Sequence, residues 1–325
     1  MIIDVNAPCS LPLGLVRLET AAGITLGLLG LTLKYPPVQL TIQPRAEDLS
    51  VTGARAPLAH DSARRLIQHQ QAALPANIEV EWAIASQMGL GSEPMLGLSV
   101  AEALARLHQL PVAGDGLALA RALGLGPEYA LSVWGFQHGG LLLVEAAPSN
   151  GAFPSVLRRR AITHTDKDAW AFIFLLPQVP DEVPSTFEAE RWQALMDAAG
   201  YVSPDTGRIL ETELWPALER DDLHAFANAL RAIQRLTYEA LARAGTPVSI
   251  SPEAQSVIDM LNANGSLLSG QSLAGLAVFG LVGGQEASHD LRARLRKHVG
   301  SFAGTTLASI ADNTGVRYTI KEPSP

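Results

Sequence analysis

A glycine turn at residues 88–92, Met-Gly-Leu-Gly-Ser, constrains this sequence more than any other feature. It follows the apolar, strand-forming residues 78–84 and precedes a long apolar segment that extends to residue 107. This order predicts a strand, a tight turn and a helix. Ser92 is a suitable N-cap residue, and Glu93 and Pro94 suit the first helical turn.

Such a turn is a candidate anion site. Backbone N–H groups point out of a helix N-terminus, where the dipole favours negative charge, and glycine lets the backbone approach a ligand closely. Gly89, Gly91 and Ser92 are therefore the first candidate phosphate-binding residues. The pattern is neither a P-loop nor the three-glycine Rossmann fingerprint. The alternative is a structural helix start, in which the Glu93 carboxylate satisfies the dipole.

The composition is that of a well-buried globular protein. The 325 residues are 47% hydrophobic and 17% charged, which allows a large core and two lobes. A net charge of −8 argues against general binding to nucleic acid or to anionic membranes. The single cysteine, Cys9, fits a reducing compartment. With no basic signal region and no apolar run of spanning length, we expect a cytoplasmic protein.

The predicted elements follow an α+β order rather than a regular β-α-β alternation, which also argues against a doubly wound fold. The predicted strands lie at residues 2–5, 11–18, 24–34, 38–43, 78–84, 130–136, 141–146, 169–176, 265–269, 275–282, 305–311 and 316–320. The predicted helices lie at residues 60–74, 92–107, 115–123, 188–199, 207–218, 221–244, 252–261 and 285–299. The first helix has Asp61 as a plausible cap, and residues 130–146 read as a hairpin.

A proline-rich stretch at residues 177–184 predicts a border between two lobes. We expect an N-terminal lobe of residues 1–180, which carries the glycine turn, and a C-terminal lobe of residues 181–325. A cleft between them would face the turn. No residues are assigned to a protein-bound metal site.

Six short segments match one known family in the order that the family has them. They are Pro8 with Leu11, Gly14 and Leu15; residues 89–92; Phe136 with His138, Gly139 and Gly140; Leu218, Glu219, Asp222 and Phe226 with residues 233–236; residues 269–272 with Gly275; and residues 313–315. Together they span nearly the whole chain and resemble the beta-ribofuranosylaminobenzene 5′-phosphate synthases. This family is a branch of the GHMP superfamily, whose kinases usually carry a G-L-G-S-S loop.

The resemblance implies the two-lobed α+β fold of the GHMP kinases, with an N-terminal lobe like a ribosomal-protein domain and an α/β C-terminal lobe. The family reaction joins 4-hydroxybenzoate or 4-aminobenzoate to phosphoribosyl diphosphate, with loss of CO2 and diphosphate, on the way to the one-carbon carrier tetrahydromethanopterin. The resemblance also implies that the protein uses Mg²⁺, binds a phosphorylated small-molecule substrate and forms a homodimer.

The resemblance also gives the other candidate site residues. His138 and Gln271 are the candidate catalytic residues, and Gly270 and Ser272 would bind phosphate from a loop that faces the turn. The alternatives are an exposed hairpin histidine and a structural turn between two strands.

The departures from the family pattern fall mostly on polar positions. The family's first motif carries arginine and histidine where this chain has Ser10 and Pro12, and its glutamate before His-Gly-Gly is Gln137. The glycines remain, while groups that would bind phosphate or carboxylate are lost.

Three hypotheses therefore stand. The first is a transferase like the synthases, the second an ATP-dependent small-molecule kinase, and the third a non-catalytic binding protein that has lost the active site. A cleft lined by anion-binding groups favours the enzymes, and a closed or apolar cleft favours the binding protein.

Overall fold

The computed structural model describes residues 1–20, 23–146, 151–163, 166–179, 187–246, 250–300 and 304–321. Its strands are β1 Ile2–Thr20, β2 Gly23–Pro44, β3 Leu49–Gly53, β4 Ala76–Trp82, β5 Leu141–Glu145, β6 Val156–Arg160, β7 Trp170–Pro177, β8 Leu268–Gln271, β9 Val278–Gly283, β10 Gly304–Ile310 and β11 Arg317–Lys321. Its helices are α1 Ala56–Gln70, α2 Ser92–Leu107, α3 Gly116–Leu123, α4 Ala130–His138, α5 Phe187–Asp197, α6 Asp205–Ile209, α7 Trp215–Glu219, α8 Leu223–Arg243, α9 Pro252–Ala263 and α10 Gln285–Val299. A π-helical turn, Leu210–Leu214, joins α6 to α7. The predicted α+β class is confirmed.

The first sheet has seven strands in the order β11-β1-β2-β4-β3, with β5 paired to β2 and β6 paired to β5. Strands β1 and β2 form a long antiparallel pair with irregularities between Ala7 and Cys9 and between Pro12 and Gly14. Helices α2, α4, α6 and α8 all pack against β1. The middle of β1 is therefore buried on both faces and reads as a continuous apolar run rather than an alternating one.

The second sheet has four antiparallel strands in the order β10-β7-β9-β8. Its core contains Phe172, Phe174 and Phe279, whose ring centroids lie 6.1–6.5 Å apart. Helices α9 and α10 pack together and against this sheet. Strand β7 precedes residue 180 and belongs to this sheet, whereas β11 near the chain end belongs to the first. The sheets therefore do not divide at residue 180, and the lobe border there stays a prediction.

Helix α4 stands where the sequence predicts a strand at residues 130–136. It is packed among α2, α3 and β1, and most of its side chains are buried. A short apolar run without a polar face does not distinguish a helix from a strand, which explains the wrong prediction. The rings of Trp134 and His138, one helical turn apart, stack with centroids 5.8 Å apart.

Three other local predictions are also wrong. Residues 49–53 and 158–160, which lie outside the predicted strands and helices, belong to the edge strands β3 and β6. Polar side chains are tolerated there because one side of an edge strand is solvated. The strands predicted at residues 2–5 and 11–18 are one strand, β1, and those predicted at residues 24–34 and 38–43 are one strand, β2. Helix α1 begins before the predicted cap Asp61, with Arg55 as its N-cap residue at φ 52°.

Helix α8 packs against β1, and a buried hydroxyl group forms hydrogen bonds to both elements. The Oγ1 of Thr237 accepts a hydrogen bond from the N–H of Leu15 at 3.0 Å and donates to the carbonyl of Ile233 at 2.9 Å. A Cβ at Gly14 would lie 2.6 Å from Ile233 Cγ2, so the absence of a side chain there allows the close approach.

Among the described residues, none of the helices combines the length and the apolar character that a membrane crossing requires.

Thr237→Val tests the contact of α8 with β1. Valine keeps the shape of threonine but cannot accept the Leu15 hydrogen bond, so a buried N–H loses its partner. We expect the free energy of unfolding to fall by about 1–3 kcal/mol. Urea denaturation measures it, and Thr212→Val, at an exposed site, is the control. Equal losses in the two variants would contradict the role of Thr237.

Candidate functional site

The glycine turn consists of alternating left-handed residues. Gln87, Gly89 and Gly91 have φ values of 64°, 67° and 73°. Alternation of this kind turns successive backbone N–H groups towards one side and forms a concavity that suits an anion. Gln87 adopts this conformation although it has a side chain, which marks a locally strained backbone.

Helix α2 begins at Ser92, as the predicted range has it, but its cap differs. Its N-cap residue is Gly91, and Ser92 is already helical, so the predicted N-cap role of Ser92 is wrong. Left-handed Gly91 ends the turn and places the buried Ser92 inside the helix. Within the described part of the chain, no side chain caps this helix start. Its first N–H groups are therefore not satisfied by a capping side chain.

The predicted second loop lies directly against the turn. Leu276 and Ala277 donate backbone hydrogen bonds to the carbonyls of Gln87 and Met88 at 2.9 and 3.2 Å. The Oγ of Ser272 donates to the carbonyl of Gly89 at 2.9 Å. Ser272 thus lies beside Gly89 with its hydroxyl bound to the turn, and its role in binding phosphate stays a prediction.

Gly275 makes the docking possible, because a Cβ there would come within 3.0 Å of the Gly89 backbone, closer than real Cβ contacts come.

Gln271 is buried and holds its own loop together. Its Nε2 donates to the carbonyl of Gly275 at 2.8 Å, and its carbonyl accepts from the hydroxyl of Tyr238 at 3.3 Å. Its Oε1 has no hydrogen-bond partner among the described residues. Gly270 lies in β8 beside Phe279 and Gln234. The roles predicted for Gln271 and Gly270 stay predictions.

His138 lies at the end of α4, exposed and stacked on Trp134. Burial of part of the ring, with a smaller contribution from the charge of Arg159, lowers the pKa of His138. Arg159 also donates to the carbonyls of His138 and Gly139 at 2.9 Å each. Among the described residues, His138 is not part of the cavity at the turn, and its catalytic role stays a prediction.

A cavity of about 60 Å³ lies at the turn. Its polar lining groups are Ser10, Ser132, Glu128, Tyr129 and Glu188. The hydroxyls of Ser10 and Ser132 lie 2.8 Å apart, and each is 2.5–2.6 Å from where a Cβ of Gly91 would stand. Sites for small-molecule ligands usually measure about 300–1,000 Å³. Helix α5 contributes Glu188 to the wall, so a larger ligand requires this helix to move.

The Glu188 carboxylate occupies the concavity of the turn. Its Oε1 accepts a hydrogen bond from the N–H of Gly89 at 3.3 Å, and the backbone at Gln87 also stabilises its charge. Burial raises the pKa of Glu188, and the charge of Glu93 raises it further, whereas these hydrogen bonds and the charge of Arg55 lower it. The turn thus binds an oxyanion that belongs to the protein.

Sequence reasoning missed Glu188, Arg55 and Ser132. Glu188 lies in the first turn of a charged helix and looks solvated in the sequence, and Arg55 lies outside the predicted strands and helices. Ser132 lies in α4, which the sequence predicts as a strand. Only tertiary contacts bring the three to the turn.

Gly275→Ala tests the contact between the two loops. The new methyl group would collide with the Gly89 backbone, which cannot move aside as a flexible side chain could. We expect a loss of about 1–3 kcal/mol in the free energy of unfolding, typical of overpacking. Gly200→Ala, at a glycine with open space around it, should change stability little in the same denaturation experiment. An unchanged Gly275→Ala variant would contradict the packing.

Glu188→Gln tests the cost of burying this carboxylate. Because its pKa is raised above the ordinary glutamate value of 4.5, the folded state holds the proton more tightly than the unfolded chain. The contribution of this group to stability is therefore present below that value and is lost as the pH rises through the raised pKa. In calorimetry, Glu188→Gln should match the wild type near about pH 4 and exceed its Tm near about pH 7. A difference independent of pH, or the same difference in Glu190→Gln, would contradict this.

Comparison with solved structures identifies the fold. Mevalonate kinase of L. major, in complex with R-mevalonate, is 12% identical, with a TM-score of 0.66 over 95% of this chain and 96% of the other. Mevalonate diphosphate decarboxylase of Enterococcus faecalis is 13% identical, with a TM-score of 0.64 over 99% of each chain. Homoserine kinase of Cytophaga hutchinsonii is 15% identical, with a TM-score of 0.60 over 98% and 97%.

No protein-family model matches this sequence, and no curated protein matches it significantly. The identities to the solved structures are too low to assign an activity, so the closer resemblance to the synthases depends on the sequence segments alone. The structures do establish the architecture: this chain has the two-lobed α+β fold of the GHMP kinases.

Proposed function

We propose that this protein is a transferase that binds the phosphate or diphosphate group of a small molecule at the glycine turn, with phosphoribosyl diphosphate as the first candidate substrate. The observation that supports this most is the hydrogen bond from the N–H of Gly89 to the Glu188 carboxylate. A carboxylate and a phosphate are both oxyanions that accept hydrogen bonds from backbone N–H groups. A turn that binds one can bind the other.

The surrounding groups suit an oxyanion in a second way. The start of α2 has no capping side chain among the described residues, so its N–H groups and dipole can act on a ligand. The hydroxyls of Ser10 and Ser132 hydrogen-bond each other beside Gly91, which leaves the O–H of one of them to donate to a ligand. In the transferase, these groups would stabilise the negative charge of the leaving diphosphate as its bond to the sugar breaks.

Mg²⁺ fits this site only together with a substrate. The described residues contain no group of three or more side chains suited to hold a metal ion. Mg²⁺ is usually held by one or two carboxylates and by substrate phosphates, and Glu93 and Glu188 are close enough for their charges to interact at the turn. Bound there, the ion would neutralise part of the diphosphate charge.

A non-catalytic binding protein is the second candidate. The cavity is small and mostly apolar, and its charged lining groups among the described residues are the carboxylates Glu128 and Glu188. Ser10 and Pro12 line it where the family carries arginine and histidine. The kinase hypothesis has the same fold in its favour, and the decarboxylase structure concerns ATP binding. The ligands that the protein binds distinguish the transferase, the kinase and the binding protein.

Thermal unfolding with phosphoribosyl diphosphate or ATP, each with and without Mg²⁺, tests the proposal. A ligand that binds only the native state stabilises it by a few kcal/mol at ~100-fold excess over its Kd. We expect a rise in Tm with phosphoribosyl diphosphate. A rise with ATP alone would favour the kinase, and no rise with either would leave the binding protein.

Gly91→Ala should abolish the rise in Tm, because the new methyl group would meet the Ser10 and Ser132 hydroxyls in the site. Gly124→Ala is the matched control. Gly124 has a similar left-handed φ of 67° but open space around it, so the substitution imposes the same backbone strain away from the site. Equal rises in both variants would place the ligand elsewhere.

A further inference from the structure

We propose that Arg55 is the cation of the oxyanion site at the glycine turn, and that Glu188 is an internal occupant that an incoming oxyanion displaces. This inference rests on the proposed function, because it names the residue that would attract an oxyanion to the same site and the residue that would have to leave it. It concerns two residues outside every segment that carries the family resemblance.

Arg55 is held beside the turn by its backbone and its side chain. It is the N-cap residue of α1 with a left-handed φ of 52°, an unusual conformation for a residue with a long side chain. Its Nη1 donates to the carbonyl of Ile84 at 3.3 Å, just before the turn begins. A guanidinium has five N–H donors, so this one bond leaves others that can act on a ligand.

The charge of Arg55 already acts on this site. Burial lowers the pKa of Arg55, while the carboxylates of Glu93 and Glu188 raise it, in that order. Burial raises the pKa of Glu188, and the charge of Arg55 in turn lowers it. A half-buried guanidinium keeps its charge, and a cation next to carboxylates in a partly dry site interacts more strongly than it would in water.

Glu188 occupies the position that the proposal assigns to an oxygen of the ligand. It accepts the hydrogen bond of Gly89, which a substrate phosphate would take over, and it is close enough to Arg55 for their charges to interact. Two further carboxylates, Glu93 and Glu128, act on the neighbouring Tyr129 together with Glu188, and burial raises the pKa of Tyr129 to about 12. An oxyanion that entered while Glu188 remained would meet strong repulsion.

Helix α5 is suited to carry Glu188 away. Leu195 is the only fully buried side chain on this 11-residue helix, and the others are half-buried or exposed. Because the helix makes few buried apolar contacts, moving it away from the cavity costs little free energy. Since Glu188, Trp192 and Leu195 all line the cavity, the same movement removes the competing carboxylate and enlarges the site.

Isothermal titration with inorganic pyrophosphate, without Mg²⁺, tests both parts. Arg55→Gln removes the cation and should weaken binding by about tenfold or more, the size expected for a charge-assisted hydrogen bond. Glu188→Gln keeps the side-chain shape but removes the competing charge, so it should strengthen binding by about tenfold. Arg64→Gln on α1 and Glu190→Gln on α5 are matched controls, since both side chains are exposed.

The outcomes separate this inference from the proposed function. If pyrophosphate binds the wild type, and Arg55→Gln and Glu188→Gln bind no differently from their controls, the inference is wrong and the oxyanion site stands. If pyrophosphate binds neither the wild type nor Glu188→Gln, the proposed function fails, and the inference fails with it. The Tm of each variant without ligand shows whether a weakened affinity reflects a loss of folding instead.

Discussion

The close contact between the loops at Gly89 and Gly275 determines the geometry of the site. The turn before α2 belongs to the part of the chain built around the first sheet, and the loop between β8 and β9 belongs to the second sheet. Backbone hydrogen bonds from Leu276 and Ala277 to the turn join the two parts where ligands would bind. Because both partners are backbone, the position of the turn depends on how the two sheets pack.

Small hydroxyl groups provide hydrogen bonds at three buried contacts around the site. Thr237 completes the contact of α8 with β1, Ser272 binds the turn, and Ser10 binds Ser132 beside Gly91. Short side chains permit backbones to approach where arginine or histidine would need more room. Ser10 therefore suits the tight packing here, and in the proposed site the positive charge would come from Arg55 instead.

The sequence predicted those features that depend on local pattern. The glycine turn, its flanking strand and helix, and the long helix α8 follow from periodicity and glycine chemistry, and the order of motifs led to the correct fold. Helix α4 was missed because its environment, not its sequence, makes it helical. Glu188 and Arg55 were missed for a related reason: both look like ordinary solvated charges until the tertiary structure places Glu188 at Gly89 and Arg55 at Ile84.

The carboxylate at the turn bears directly on what the site can bind. A protein that only needed to cap α2 could do so with Glu93, which already lies in the first helical turn. Instead, a second carboxylate comes from a separate helix, partly buried, with its pKa raised by the loss of solvent. Such a group costs free energy unless its hydrogen bonds and the charge of Arg55 offset the loss of water. A diphosphate carries more charge and more acceptor oxygens than a carboxylate, so it gains more from the same amides and the same guanidinium. The groups that make Glu188 tolerable at the turn are therefore the groups that would let a diphosphate replace it.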